Sequence, residues 1–207
     1  MWLKICGVIR SEDAWNLARL DIDAIGLNRY APSPRYLSRK RAAEFSRQIK
    51  RADENKLVVG VYVNASAGQI NKDIEEIGLD AVQLHGDEPP DFLAEIKPAV
   101  KLIKAFRVDE NFSEEEFKKY NCWAYLLDAH VPGKYGGTGQ TAPWQKIAGW
   151  TDKQRIILAG GLNKDNITRA VKTVNPFGVD FCSGVEDRQG NKDIAAVKEI
   201  IEKSGVK

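Results

Sequence analysis

Cysteine is scarce in this chain. Its 207 residues contain three, Cys6, Cys122 and Cys182. An odd set without CxxC spacing excludes a disulfide framework and a thiolate zinc site, and it reads as free thiols in a reducing cytosol. Long hydrophobic runs are also missing. None approaches the ~18 residues of a membrane-spanning helix, so no membrane partner is expected. The first residues carry no long apolar segment of the secretory type, and a cytoplasmic location is expected. Charge of one sign is absent as well: 31 basic residues face 29 acidic ones, for a net charge of +2. That balance gives no support to a nucleic-acid partner. No low-complexity stretch, linker or Pro/Ser-rich boundary divides the sequence, so residues 1–207 are expected to form one domain.

What is present is alternation. Eight short apolar runs recur: Leu3–Gly7, Asp23–Asn28, Leu57–Asn64, Asp80–Gly86, Lys101–Phe106, Ala124–Asp128, Arg155–Gly161 and Gly178–Ser183. Continuous apolar character without strict alternation suits strands buried on both faces of a parallel sheet. Helical segments lie between them. Ser11-Glu12-Asp13 opens the first, Ser38 precedes and Ser66 leads into the next two, Ser113 and Glu116 have capping-box spacing, Asn163 can cap Lys164–Val174, Asp193–Lys203 closes the chain, and Pro89-Pro90 opens a further short segment. The stretch from Pro143 to Ala148 completes the set. Eight strand–helix units predict an α/β fold, a single-domain (β/α)₈ barrel. An open doubly wound sheet shares the alternation, but the count of eight favours the barrel. The chain is short for that fold, so some helices are expected to be short or missing.

Such barrels place chemistry at the C-terminal ends of their strands. The strand-end residues here are Cys6, Asn28, Asn64, His85, Arg107, Asp128, Gly160-Gly161 and Ser183-Gly184. Cys6 and Asp128 are expected to face each other across one pocket. Gly160-Gly161 runs into a helix, Ser183-Gly184 follows the eighth strand, and Gly136-Gly137-Thr138-Gly139 follows the sixth. Three glycine-bearing loops on one rim suit a phosphate held by backbone N–H groups, because a Cβ would block its approach. Each residue also has a plain structural reading: a buried small thiol, a turn aspartate, a solvated Arg35, a packed His85, glycines in tight turns.

In order along nearly the whole chain run Lys4-Ile5-Cys6-Gly7, Ser33-Pro34-Arg35-Tyr36, Val59-Gly60-Val61-Tyr62-Val63-Asn64 and Val82-Gln83-Leu84-His85-Gly86-Asp87-Glu88. Leu126-Leu127-Asp128, Tyr135-Gly136-Gly137-Thr138-Gly139, Gly160-Gly161-Leu162-Asn163, Val179-Asp180 and Ser183-Gly184-Val185-Glu186 follow. With this set the chain resembles the phosphoribosylanthranilate isomerases of tryptophan biosynthesis. The resemblance implies an Amadori rearrangement of N-(5-phosphoribosyl)anthranilate to 1-(2-carboxyphenylamino)-1-deoxyribulose 5-phosphate. It implies a TIM barrel of the sugar-phosphate-binding type, with no metal and no organic cofactor. Asp128 matches the general acid, Cys6 the general base and Arg35 the residue that holds the anthranilate carboxylate. A planar guanidinium fork suits that carboxylate. His85, Gly137, Gly160, Gly161, Ser183 and Gly184 complete the expected substrate contacts. The partner is thus a phosphorylated aminosugar bearing an anthranilate group, and nothing in the sequence specifies a protein partner. A free thiol titrates at about 8.5, so a depressed value is expected at the base, with the substrate phosphate held well away.

Several positions depart from the family pattern. Asn28-Arg29 stands where apolar residues are usual. The expected reading is a strand-ending Asn28 and a solvated Arg29; the sharper one is an altered aromatic pocket and a broadened substrate range. Cys182 replaces a common serine and is expected to be a packing residue. Asp180 is expected to end a core network. His130 and Val131-Pro132-Gly133-Lys134 suit either a lid or a solvated loop. Two other functions compete. A lyase such as indoleglycerol-phosphate synthase needs a lysine acid, for which Lys4 and Lys101 are poorly placed. A non-catalytic or different-substrate phosphate-binding barrel has no reason to keep both Cys6 and Asp128.

Overall fold

The structure, a computed structural model, describes residues 1–129, 143–151 and 154–205. The strands are β1 (Trp2–Cys6), β2 (Ala24–Asn28), β3 (Leu57–Tyr62), β4 (Ala81–Leu84), β5 (Lys101–Val108), β6 (Ala124–Ala129), β7 (Ile156–Leu158) and β8 (Gly178–Phe181). Each overlaps one of the eight expected runs; β1 starts one residue earlier, and β5 and β6 run on to Val108 and Ala129. They pair in parallel in chain order, and β8 closes on β1 with Trp2 opposite Gly178 and Lys4 opposite Asp180. The closed barrel excludes the open sheet.

Side chains alternate along each strand between two apolar shells. Leu3 and Ile5 of β1 join Ile25, Leu27, Val58, Leu127 and Phe181 in the layer packed under the helices. Trp2 instead faces inward with Ala24, Val59, Ala81, Ile103, Ala124, Leu126 and Ile157. Each large side chain so buried contributes about 1.5–3 kcal/mol. The same alternation carries Cys6, Asn28 and Asp128, the last or nearly the last residues of their strands, to the inner face at one end.

The outer layer is uneven. It contains α1 (Ser11–Ala18), α2 (Arg39–Ala52), α3 (Ala67–Asp73, continued by a π turn to Gly78), α4 (Glu114–Lys118), α5 (Trp144–Ile147), α6 (Ile167–Val174) and α7 (Ile194–Ser204). After β4 stands only a 3₁₀ turn, Pro90–Glu95. Short and missing helices were expected. Ser38, Ser66 and Asp193 cap α2, α3 and α7 through their side-chain oxygens. Ser113 accepts from Glu115 N, but the Glu116 carboxylate bonds Lys119, so the reciprocal half of the capping box is not made. Asn163 is not the α6 cap: its side chain accepts the N–H groups of Asp165 and Asn166, closing a turn, and the helix begins at Ile167. Asparagine favours such local turns over helix entry.

An element without a sequence signal follows β8. Residues Glu186–Arg188 (β9) and Asn191–Lys192 (β10) form a small antiparallel hairpin.

Candidate active site

The strand ends open into one cavity of about 460 Å³. Cys6, Asn28, His85, Asp128, Gly160, Gly161, Ser183 and Gly184 all line it. Arg35 joins them from the loop after β2. Asn64 and Arg107 do not. Asn64 accepts the Asp87 N–H, its own N–H goes to Glu88, and Arg107 pairs with Asp87 on the rim. Gly137 and the rest of the loop after β6, His130 included, lie outside the described residues.

Cys6 occupies space that β2 leaves free. A Cβ on Gly26 would stand 2.8 Å from Cys6 Sγ and 3.1 Å from Cys6 Cα. Immediately after Cys6 the backbone of Gly7 takes φ +72°, a left-handed turn that glycine adopts without strain. That turn passes beneath Arg35, whose Cδ would lie 2.5 Å from a Gly7 Cβ.

Across the barrel, Asp128 is buried, and its Oδ2 lies 3.5 Å from His85 Nε2. Gln83 Nε2 lies 2.8 Å from His85 Nδ1, and the other ring nitrogen, Nε2, faces Asp128. Gln83 was not singled out from sequence. Its signal is the two-residue period, which puts it on the same inner face as His85.

Arg35 is held before any ligand arrives. Its Nε and Nη2 donate to the two oxygens of Glu186 at 2.8 and 2.6 Å. Lys192 Nζ donates to Glu186 at 2.7 Å and to the Cys182 carbonyl at 2.9 Å. The β9–β10 hairpin brings these charges together. Burial pushes the Glu186 carboxyl up, but the Arg35 hydrogen bond and the Lys192 charge outweigh it and hold the group below its ordinary value. The Nη1 edge of the Arg35 fork is not used by Glu186.

Cys182 is not a packing residue. It lines the cavity with Cys6. Interaction with the Cys6 thiol, with help from Lys192 and Arg35 and against burial, holds the Cys182 thiol down to about 7. The same interaction, then burial, pushes Cys6 well above the ordinary thiol value, although Lys4 opposes the rise. The depression expected at the base therefore falls on its neighbour. Cys182 directly precedes Ser183, one of the residues expected to meet the phosphate.

Below the thiols, Lys4 Nζ lies 2.7 Å from Asp180 Oδ1, both buried. Burial raises Asp180 to about 7 against the pull of Lys4. Asp180 does end a core network, and it also lines the cavity floor. Lys4 does not line the cavity, and Lys101 lies near the Trp123 ring at the other barrel end. Neither is placed as a lysine acid.

Gly160 and Gly161 adopt φ +81° and +62°, and Gly161 O accepts from Asn166 Nδ2 at 2.8 Å. A Cβ on Gly184 would lie 1.8 Å from Leu162 O. The loops after β7 and β8 are thus fitted to each other at one corner of the cavity.

Asn28 ends β2 as expected, accepting from Tyr30 N and donating to Ser33 Oγ, which braces the Arg35 loop. Arg29 is not solvated. It points to the outer face, where Nε pairs with Asp73 Oδ2 at 2.8 Å and the guanidinium lies 5.5 Å from the Tyr36 ring centre. Arg39 and Tyr62 share the same aspartate. Strand alternation is the reason: Asn28 and Arg29 must face opposite ways.

Residues 3–203 match the family model described as N-(5'phosphoribosyl)anthranilate (PRA) isomerase. The N-(5'-phosphoribosyl)anthranilate isomerase of Pelobacter propionicus is 42% identical over 96% of this chain and 93% of its own. That of Syntrophomonas wolfei is 41% identical over 96% and 95%. Among solved structures, the phosphoribosyl anthranilate isomerase of Thermotoga maritima superposes with a TM-score of 0.87 at 33% identity, covering 99% of this chain and 98% of that one. A second, in complex with reduced 1-(o-carboxyphenylamino)-1-deoxyribulose 5-phosphate, gives 0.84 at 31% identity, over 99% and 98%.

Proposed function

The chain belongs to the N-(5'-phosphoribosyl)anthranilate isomerase family, and from that premise we propose that Asp128 and Cys6 are the acid and base of its reaction. The enzyme is an isomerase of tryptophan biosynthesis, which sets aside a non-catalytic barrel. The observation that carries the residue assignment is the meeting of Cys6 from β1 and Asp128 from β6 in one cavity, with Arg35 and the two glycine loops on its wall.

The reaction needs two proton movements at different atoms of one sugar. Asp128 gives a proton to the furanose ring oxygen, the C1–O bond breaks, and the amine lone pair forms a C=N⁺ bond. The iminium acidifies the C2–H. Cys6 removes that proton, and the resulting enol-amine becomes the 2-ketose when C1 is protonated. Asp128 is buried on the cavity wall. His85 Nε2 beside Oδ2 orients the carboxyl. Cys182 lines the same cavity as the base.

Substrate orientation follows from the wall. Glu186 grips Arg35 by its Nε–Nη2 edge, so the Nη1 side receives the anthranilate carboxylate. The phosphate is bound by backbone N–H groups of Gly160-Gly161 and Ser183-Gly184, with Gly137 as a further donor. Residues 1–207 act as one catalytic domain, without metal or organic cofactor.

The test is disappearance of freshly generated phosphoribosylanthranilate, followed by fluorescence, for wild type, Cys6→Ser and Asp128→Asn. Each substitution is expected to lower turnover by about 10²–10⁴-fold. Turnover that survives both changes would overturn the acid–base pair while leaving the family intact.

A further inference from the structure

The thiol pair has a second chemistry. β1 and β8 are hydrogen-bonded neighbours whose register runs Lys4 opposite Asp180 and Ile5 opposite Phe181. Cys6 and Cys182 are the next residue on each chain after that last pair. Neighbouring strands lie about 4.8 Å apart, inside the Cα–Cα window of about 4.4–6.8 Å that a disulfide spans. Cys182 Sγ lies 3.0 Å from where a Cβ on Gly7, the residue after Cys6, would stand, and each thiol shifts the other's titration. Both sulfurs border the cavity through which a small solute enters. Cys122 provides the contrast. It lies outside this cavity, with its thiol raised by burial to about 11 and bonded to the Ala124 carbonyl.

We propose that Cys6 and Cys182 form a modification site for peroxides: a reversible disulfide that removes the general base and stops turnover. This rests on Cys6 acting as the base. The Cys182 thiolate, favoured by Lys192 and Arg35, attacks the O–O bond of hydrogen peroxide. It becomes a sulfenic acid and hydroxide leaves. Cys6 attacks the sulfenic sulfur, its proton leaves with the second oxygen, and water is released. Two thiols lose two electrons to one peroxide, which is reduced to two waters. A dithiol reverses the step by exchange. A serine at position 182 cannot resolve a sulfenic acid at Cys6, so Cys182 also protects Cys6 from irreversible oxidation.

The test treats the reduced full-length protein with equimolar hydrogen peroxide and counts thiols in denaturant. The expected count falls from three to one, a cross-linked peptide joins Cys6 to Cys182, and turnover is lost and then restored by dithiothreitol. Cys122→Ser forms the same cross-link, and Cys182→Ser forms none. Three thiols after treatment, a cross-link through Cys122, or sulfinic acid at Cys182 in place of the cross-link would overturn the site. A Cys6–Cys182 cross-link that leaves turnover intact would overturn the switch. The kinetics of Cys6→Ser separate the two ideas. An active Cys6→Ser variant sinks the base assignment, whereas an inactive one with no cross-link in wild type sinks only the disulfide.

Discussion

The two ends of this barrel are built from the same eight strands by opposite means. At the N-terminal end Trp2, Trp123 and Phe177 close the bore, with ring centres 5.6–6.4 Å apart. Lys101 and Arg155 lie 5.9 and 5.6 Å from the Trp123 ring centre. Small residues, Ala24, Ala81 and Ala124, form the layer above and leave room for those rings. At the C-terminal end the inner face carries Cys6, Gln83, His85, Asp128, Asp180 and Cys182 around a cavity. The Lys4–Asp180 pair marks the change from one regime to the other. An aromatic plug needs no partners to be stable, whereas every buried polar group at the other end needs one. Stability therefore concentrates below the pair and chemistry above it.

The largest break in that division comes from the plug. Gly178 has no side chain because Trp2 lies against it, with a Cβ there standing 2.8 Å from Trp2 O. Trp2→Ala empties this space, and loss of a buried aromatic costs about 3–5 kcal/mol. Urea unfolding is expected to show that loss, while turnover per folded molecule stays within about twofold. A thousandfold loss of turnover would show that the two ends are coupled.

A smaller effect tests the boundary itself. Gly26→Ala sets a methyl 2.8 Å from Cys6 Sγ and 3.1 Å from Cys6 Cα, so backbone as well as side chain must move. Overpacking of this kind costs about 1–3 kcal/mol. Unlike Trp2→Ala, it is expected to lower kcat more than its stability loss would suggest, because the atom displaced is the sulfur proposed as the base. A stability loss with kcat unchanged would mean that the cavity tolerates a shifted Cys6.

Much of this division was legible in the amino-acid order, and the remainder fails for one physical reason. Runs such as Leu57–Tyr62 report their strands directly, because burial on both faces forces continuous apolar character. Strand ends then follow, and with them the place of Cys6, His85 and Asp128. Partnerships between distant residues do not follow. Arg35 and Glu186 are 151 positions apart, and only barrel closure and the hairpin after β8 bring them together. Cys182 read as a packing residue because its neighbour across the β1–β8 seam is 176 positions away. Arg29 read as solvated because its partner Asp73 sits on α3, 44 positions away. Asn163 misled for a local reason: a turn and a helix cap use the same side-chain oxygen.

The finest distinction lies within the polar end, between residues that touch the reacting atoms and those that aim them. Glu186 belongs to the second group. In Glu186→Gln one carboxylate oxygen becomes an amide NH₂, which meets an Arg35 donor instead of accepting from it. A charge-assisted hydrogen bond is worth about 1.5–3 kcal/mol. Lys192 and one remaining acceptor still hold the loop, so the lower end applies: KM is expected to rise about tenfold with kcat nearly unchanged. The pH dependence adds a sign. Glu186 is held below its ordinary value in the folded protein, so its contribution is present above the unfolded pKa and lost as pH falls through the folded one. The stability gap between wild type and Glu186→Gln should therefore be open at neutral pH and close below about pH 4. A gap that persists in acid would assign the loss to packing. A fall in kcat with KM unchanged would move Glu186 from aiming the substrate to taking part in the chemistry.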